Sequence, residues 1–153
     1  MRISEFLSAQ AVVADLRGSS KPEVMRELAQ KLAGAHPPLK ADRLYDTLLE
    51  REKLGSTGIG EGVAIPHGKI PGLPRLIAAF GISRTGVDFE ALDGKPTYLF
   101  FALVAPENSA GVHLKALARI SRLFKNQGFR DSIRESKTAE DIYALISRED
   151  AAA

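Results

Sequence analysis

None of the 153 residues is a cysteine, which excludes a disulfide framework, thiolate zinc sites and cysteine nucleophiles together. Long apolar runs are missing too. The longest, "YLFFALVA" from Tyr98 to Ala105, falls far short of the roughly 20 residues that span a bilayer as a helix. The opening "MRISEFLSAQ" has neither the apolar core nor the small-residue cleavage site of a secretory signal. No membrane insertion is expected, and a cytoplasmic protein is. Nor is one sign of charge in excess, because 21 lysines and arginines face 19 aspartates and glutamates; this balance implies no nucleic-acid partner. Repeats, low-complexity tracts and linkers are also lacking.

What is present is a globular balance, 44% hydrophobic and 26% charged, in a length that supports one domain with a real core. We expect a single domain over residues 1–153, its core at about 3–148, with the terminal "DAAA" frayed. Val12 to Leu16 reads as a short strand. Ser20 can cap a helix whose Glu23 reaches back, with Val24, Met25, Leu28 and Leu32 on one face before Gly34. Pro37 and Pro38 break the chain. A second helix follows in "ADRLYDTLLEREKLG", with Leu44, Tyr45, Leu48 and Leu49 apolar and Arg51 and Lys53 in its last turns. Leu76 to Ser83, "GVDF" and "TYLFFALVAP" then read as strands. "VHLKALARISRLFKN" returns to helical spacing, its apolar side being Leu114, Leu117, Ile120 and Leu123 or Phe124. "SKTAEDIYALISRE" closes with Thr138 and Asp141 as a cap pair and Ile142, Leu145 and Ile146 as the buried face. Helices flanking a block of strands predict an α/β domain with a mixed central β-sheet.

Three histidines are available. His36, before two prolines, reads as an exposed bystander. His67 lies in "GIGEGVAIPHGKIPG", where Pro66 fixes the approach of the strand "GVAI" and Gly68 offers room beside the imidazole. Upstream, Gly58, Gly60 and Gly62 can turn their amides toward a common point, a nest for an anion. "GIGEG" fails the dinucleotide pattern and lacks the lysine of a P-loop, so a phosphate here would be a small one. His113 opens a helix, where the positive end of the dipole disfavours a protonated ring and suits an anion. Spacing alone is equally compatible with His67 filling a turn and His113 capping a helix. Zinc on His67 and His113 with Glu61 or Glu107 is a further reading, without a local H-x-x-x-H or H-x-E pair to support it. Ser56, Ser83 and Ser109 lack any nucleophile motif. Lys115, Arg119 and Arg122 form either a docking stripe or a solvated basic face.

"LLEREKLGSTGIGEGVAIPHG", followed by "LVAPENSAGVHLKALARISRLF", closely resembles the type-2 IIA proteins of the bacterial phosphoenolpyruvate-dependent phosphotransferase system, the fructose/mannitol/nitrogen group. The likeness covers essentially the whole chain, and its stand-alone form and opening look most like the nitrogen-regulatory branch. The resemblance implies that His67 accepts a phosphoryl group from the phosphohistidine of an HPr-like carrier or its nitrogen-branch counterpart. It implies that His113 orients that group and that Arg51 helps hold its charge. Gly58, Gly60, Gly62, Gly68 and Thr57 are then candidate phosphate contacts, with no metal and no cofactor required. It also implies a regulatory role signalled by phosphorylation, with potassium-uptake proteins and sensor kinases among the family's targets. The alternative is a sugar-specific IIA protein that passes the group to a IIB partner.

Overall fold

Strand β6 (Thr97–Pro106) is buried along almost its whole length, Tyr98 and Pro106 alone being partly open. A strand without a polar face needs cover on both sides and hydrogen-bonding partners on both edges. In the computed structural model, which describes residues 1–152, the antiparallel β5 (Ile77–Val87) takes one edge, from Ile77 opposite Val104 to Val87 opposite Thr97. Two short parallel strands share the other edge. β3 (Val63–Ala64) lies beside Leu99 and Phe100, and β4 (His67–Ile70) lies beside Leu103 to Pro106. β2 (Gly58–Gly60) folds back antiparallel on β3, and β1 (Val12–Val13) extends the sheet beyond β5 in parallel. The result is the expected mixed sheet of an α/β domain, with six strands.

Five helices flank it. α1 (Lys21–Ala35) begins as expected, its Ser20 hydroxyl accepting from the Glu23 amide while the Glu23 carboxylate accepts from the Ser19 and Ser20 hydroxyls. α2 (Ala41–Lys53) packs on α1 and against β4. Its buried stripe is Leu44, Leu48 and Glu52, so an acid continues the line that two leucines begin. α3 (Ala110–Leu123) buries His113, Ala116, Ile120 and Leu123, whereas Leu114, expected inside, is 67% exposed. Just past the helix, Phe124 stacks on Phe80 with ring centroids 5.6 Å apart, in line with the buried side that Ile120 and Leu123 share. The aromatic cluster also takes in Phe101 and Phe129.

The helix carrying Phe129, α4 (Gln127–Glu135), was not expected from sequence. Only Phe129 and Ile133 mark its apolar side, and its third buried residue is Arg130. That guanidinium donates to the carbonyls of Phe124 and Lys125, groups left over where α3 ends, which makes its burial tolerable. α5 (Ala139–Ala152) starts at the expected cap, the Asp141 amide donating to the Thr138 hydroxyl.

The end of α5 differs from the frayed terminus that composition suggested. Helix continues to Ala152, and Asp150 is buried, accepting from the Ile3 amide and from Arg119 Nε. Ala153 lies outside the described residues. One carboxylate thus ties the first residues, α3 and α5 together. It also removes Arg119 from any exposed basic stripe on α3. Replacing Asp150 with alanine leaves the buried Ile3 amide and the part-buried Arg119 Nε without their acceptor and should cost about 2 kcal/mol. Urea unfolding checks this against Arg148→Ala on the exposed side of the same turn, for which little change is expected.

Candidate functional site

Pro66 stands where the partners of β6 change from β3 to β4. Its carbonyl accepts from the Leu103 amide, and the chain re-enters the sheet at once with His67 opposite Leu103. The histidine therefore begins a strand rather than ending one. A pocket of about 560 Å³ opens there between α2, β4 and the first turns of α3, and Arg51, His67, Gly68 and His113 all line it. The three residues that carry the expected chemistry, 16 to 62 positions apart in sequence (51 to 67 and 51 to 113), meet in one place.

His67 Nδ1 lies 2.8 Å from the carbonyl oxygen of Ile65. A carbonyl can only accept, so Nδ1 carries the proton and the lone pair of a neutral ring is on Nε2. The pKa of His67 is lowered from its ordinary value of 6.5, first by burial; the Ile65 hydrogen bond raises it, the Arg51 charge lowers it and the Glu52 charge raises it. The ring is neutral at pH 7. His113 stands edge-on to His67, ring centroids 5.4 Å apart at 78°. It is only 6% exposed, and its Nε2 is buried without a hydrogen-bond partner among the described residues. Burial, then His67, then Lys69 push its pKa down to about 4. It lies a turn inside α3 rather than at its first residue, and desolvation, not the helix dipole, is the main cause of its neutrality.

Arg51 donates from Nη1 to the Gly55 carbonyl at 2.9 Å, which anchors the guanidinium at the pocket without neutralising it. Ser109, at the N-cap of α3, turns its hydroxyl to the Pro106 carbonyl and gives the helix's first amides no side-chain cap. Ala110, the first residue of α3, lines the pocket, so the positive end of the helix faces it. Two leucines on the rim, Leu54 and Leu114, are 84% and 67% exposed. Large apolar side chains at the mouth of a polar pocket favour contact with another protein surface.

A run of hydrogen bonds leads from the His67 ring into the core. The Ile65 amide donates to the Thr57 carbonyl at 3.0 Å, and the Thr57 amide and hydroxyl donate to Glu52 at 3.0 and 2.6 Å. Lys21 Nζ closes the chain on Glu52 at 2.9 Å. Neither Glu52 nor Lys21 stood out in sequence, yet Glu52 follows Leu44 and Leu48 at helical spacing. That period places it on the buried side, where a carboxylate needs partners.

The glycine readings need correction. Gly58, Gly60, Gly62 and Thr57 do not line the pocket. The amides of Thr57, Gly58 and Glu61 are taken by Glu52, Ser56 and Asp93. The run from Gly60 to Gly62 has positive φ throughout and makes the tight turn from β2 to β3. Gly68 does line the pocket, but a Cβ there would stand 2.6 Å from Thr47 Cγ2 and 3.2 Å from the Thr47 carbonyl oxygen. Its smallness lets α2 lie on β4 and does not open a path to His67. Ser56 and Ser109 spend their hydroxyls on the Phe89 and Pro106 carbonyls, and Ser83 accepts from the Gly86 amide. Glu61 is paired with Arg130, and among the described residues no three histidine, aspartate or glutamate side chains gather as metal ligands do.

The family model described as "Phosphoenolpyruvate-dependent sugar phosphotransferase system, EIIA 2" matches residues 5–149. A nitrogen regulatory protein of Bradyrhizobium diazoefficiens is 40% identical over 147 residues, 96% of this chain and 95% of that protein. The fructose-specific EIIABC component of Bacillus subtilis is 35% identical over 150 residues, 98% of this chain but 24% of that longer protein. Among solved structures, nitrogen regulatory protein IIA-Ntr from Neisseria meningitidis superposes with a TM-score of 0.87 at 37% identity, covering 94% of this chain and 98% of that one.

Two outcomes check the geometry. Because the Glu52 charge raises the His67 pKa, Glu52→Gln should move the His67 titration midpoint to lower pH, as followed by NMR of the ring; an unmoved midpoint would reduce the chain to scaffolding. Gly68→Ala should destabilise the fold by about 1–3 kcal/mol through overpacking, and Thr47→Ser in the same chain should recover part of the loss.

Proposed function

The chain belongs to the EIIA type-2 family of the phosphoenolpyruvate-dependent phosphotransferase system, and on that premise we propose that Nε2 of His67 accepts a phosphoryl group from the phosphohistidine of an HPr-like carrier. That the chain is a phosphotransfer protein with a regulatory role is supported by its nitrogen regulatory relatives. The observation that carries the finer reading is the hydrogen bond of His67 Nδ1 to Ile65, which leaves a lone pair on Nε2 in a pocket shared with His113 and Arg51.

The Nε2 lone pair forms the new P–N bond while the donor's P–N bond breaks, its electron pair returning to the donor imidazole. One phosphoramidate replaces another, so the transfer is reversible and near balance. The protein has then to position the group and neutralise its charge. Arg51 and the uncapped start of α3 supply positive potential. His113, kept neutral, supplies a ring nitrogen that can hydrogen-bond a phosphoryl oxygen when protonated on the side facing it. Its buried and unpartnered Nε2 acquires a reason in such a contact. The exposed Leu54 and Leu114 give the carrier an apolar surface to meet.

Phosphorylation adds about two negative charges at this mouth, and the charge state is the signal in the nitrogen-branch reading. Potassium-uptake proteins and sensor kinases are the kinds of target proposed, and the cytoplasm the address. Among the described residues no helix is long and apolar enough to cross a membrane. The fructose-specific relative favours a second reading, in which the group passes to a IIB partner.

With phosphoenolpyruvate, enzyme I and a carrier, the chain should gain one phosphate that is labile in acid and stable in alkali. His67→Ala should abolish it; retained label would overturn the site. His113→Ala and Arg51→Ala should each slow uptake by about 10–1,000-fold while leaving the fold intact. Protonation of Nε2 removes the nucleophile, so the rate should fall as pH drops, with a midpoint below the ordinary histidine value of 6.5. Label passing on to a fructose-type IIB protein at a rate comparable with uptake would favour the sugar reading.

A further inference from the structure

At the opposite end of β4 from His67 lies a second groove, about 640 Å³ against about 560 Å³ for the histidine pocket. It runs between the turn that joins α1 to α2 and the segment following β4. Lys40, Arg43 and Arg75 converge on it with His36, and no aspartate or glutamate lines it. Among the described residues none of these three cations forms a side-chain ion pair, whereas Arg26, Arg119 and Arg130 elsewhere each hold a carboxylate. Glu5, in the hollow beyond Arg75, has its carboxylate on the Arg2 amide. Asp42, next to Arg43 in sequence, is turned to Arg26.

What sets this groove apart is that three cations line one concavity with no acidic side chain among its walls. Like charges repel, and low-dielectric walls focus their field into the groove. Those walls are apolar. Ile70 is buried, Leu73 is half-buried, and prolines from both segments complete the surface. An apolar floor with a few convergent charges at the mouth is the general form of a small-molecule site. The Arg75 charge is felt inside it, being the second cause, after burial, of a lowered pKa at His36.

We propose that this groove binds a small organic anion, a flat or apolar body lying on Ile70 and Leu73 with a phosphate, sulfonate or carboxylate head held by Lys40, Arg43 and Arg75. The location gives such a ligand a route to the histidine pocket. Ile70 ends the strand that His67 begins, and Arg43 and Arg51 stand on one helix about 12 Å apart along its axis. Between them Thr47 packs against Gly68. The proposal rests on the groove's own lining and not on the proposed phosphoryl transfer at His67.

The test is an amide NMR titration of the full chain with 8-anilinonaphthalene-1-sulfonate, a flat apolar body with one anionic head, alongside inorganic phosphate as a head without a body. Saturable shifts centred on Lys40, Arg43, Ile70, Leu73 and Arg75 are expected with the naphthalene sulfonate, and at least tenfold weaker binding with phosphate. The double variant Arg43→Glu/Arg75→Glu should weaken the sulfonate at least tenfold, and so should Leu73→Asp, while exposed Lys125→Glu should not. The two charge reversals lie at exposed positions, so the fold, checked by circular dichroism, should persist. Shifts confined to the Leu54 and Leu114 rim, no saturation, or equal binding by the double variant would each overturn the proposal.

Discussion

β6 cannot face water on either side or leave either edge unpaired, and the position of His67 follows from that. β5 occupies one edge along its length. The other edge is covered in two pieces, and Pro66 lies at the junction. A proline has no amide to give the ladder but keeps its carbonyl, which here accepts from Leu103. The chain is therefore held to β6 on one side of the break and is already hydrogen-bonded again at His67. The imidazole emerges from a rigid sheet edge and not from a loop, and such support is what a nucleophile needs to be presented reproducibly.

Two choices of protonation state follow from the surroundings. The Ile65 carbonyl selects the His67 tautomer, and burial keeps both rings neutral near pH 7. Positive charge is left to Arg51, Lys69 and the uncapped end of α3. In the proposed transfer, an incoming phosphoryl group would meet a ring with a free lone pair and a field of opposite sign, without two protonated imidazoles repelling each other 5.4 Å apart. Glu52 moderates this arrangement from behind. It is bound by Thr57 and Lys21 and sends its influence to His67 through main-chain hydrogen bonds and charge.

Much of this was legible from the residues. Ser20 caps α1, Thr138 caps α5, the apolar run from Thr97 to Pro106 is the central strand, and the unusual placement of His67 after Pro66 points to the candidate site. The misreadings share a cause. Leu114 fits an apolar period and so reads as inward, but the buried side of α3 runs through His113, Ala116, Ile120 and Leu123 and leaves Leu114 on the pocket rim. α4 escapes a reading by period because one of its three buried residues is Arg130, bonded to the carbonyls ending α3, a partner that periodicity does not register. Asp150 was assigned to a frayed end because nothing near it in sequence shows that Ile3 and Arg119 arrive beside it.

The sequence by itself determined the class of fold, the starts of α1 and α5, the central strand and the presence of a histidine at the strand break, because these depend on local stereochemistry and on the period of apolar residues. Only the tertiary structure decided that Arg51, His67 and His113 share a pocket while Gly58, Gly60 and Gly62 do not. It also decided that Gly68 admits Thr47, that Glu52 stands behind His67 and that Lys40, Arg43 and Arg75 converge unpaired. Those are relations between residues distant along the chain. Glycine, a buried acid and an unpaired arginine acquire their meaning from what the fold places beside them.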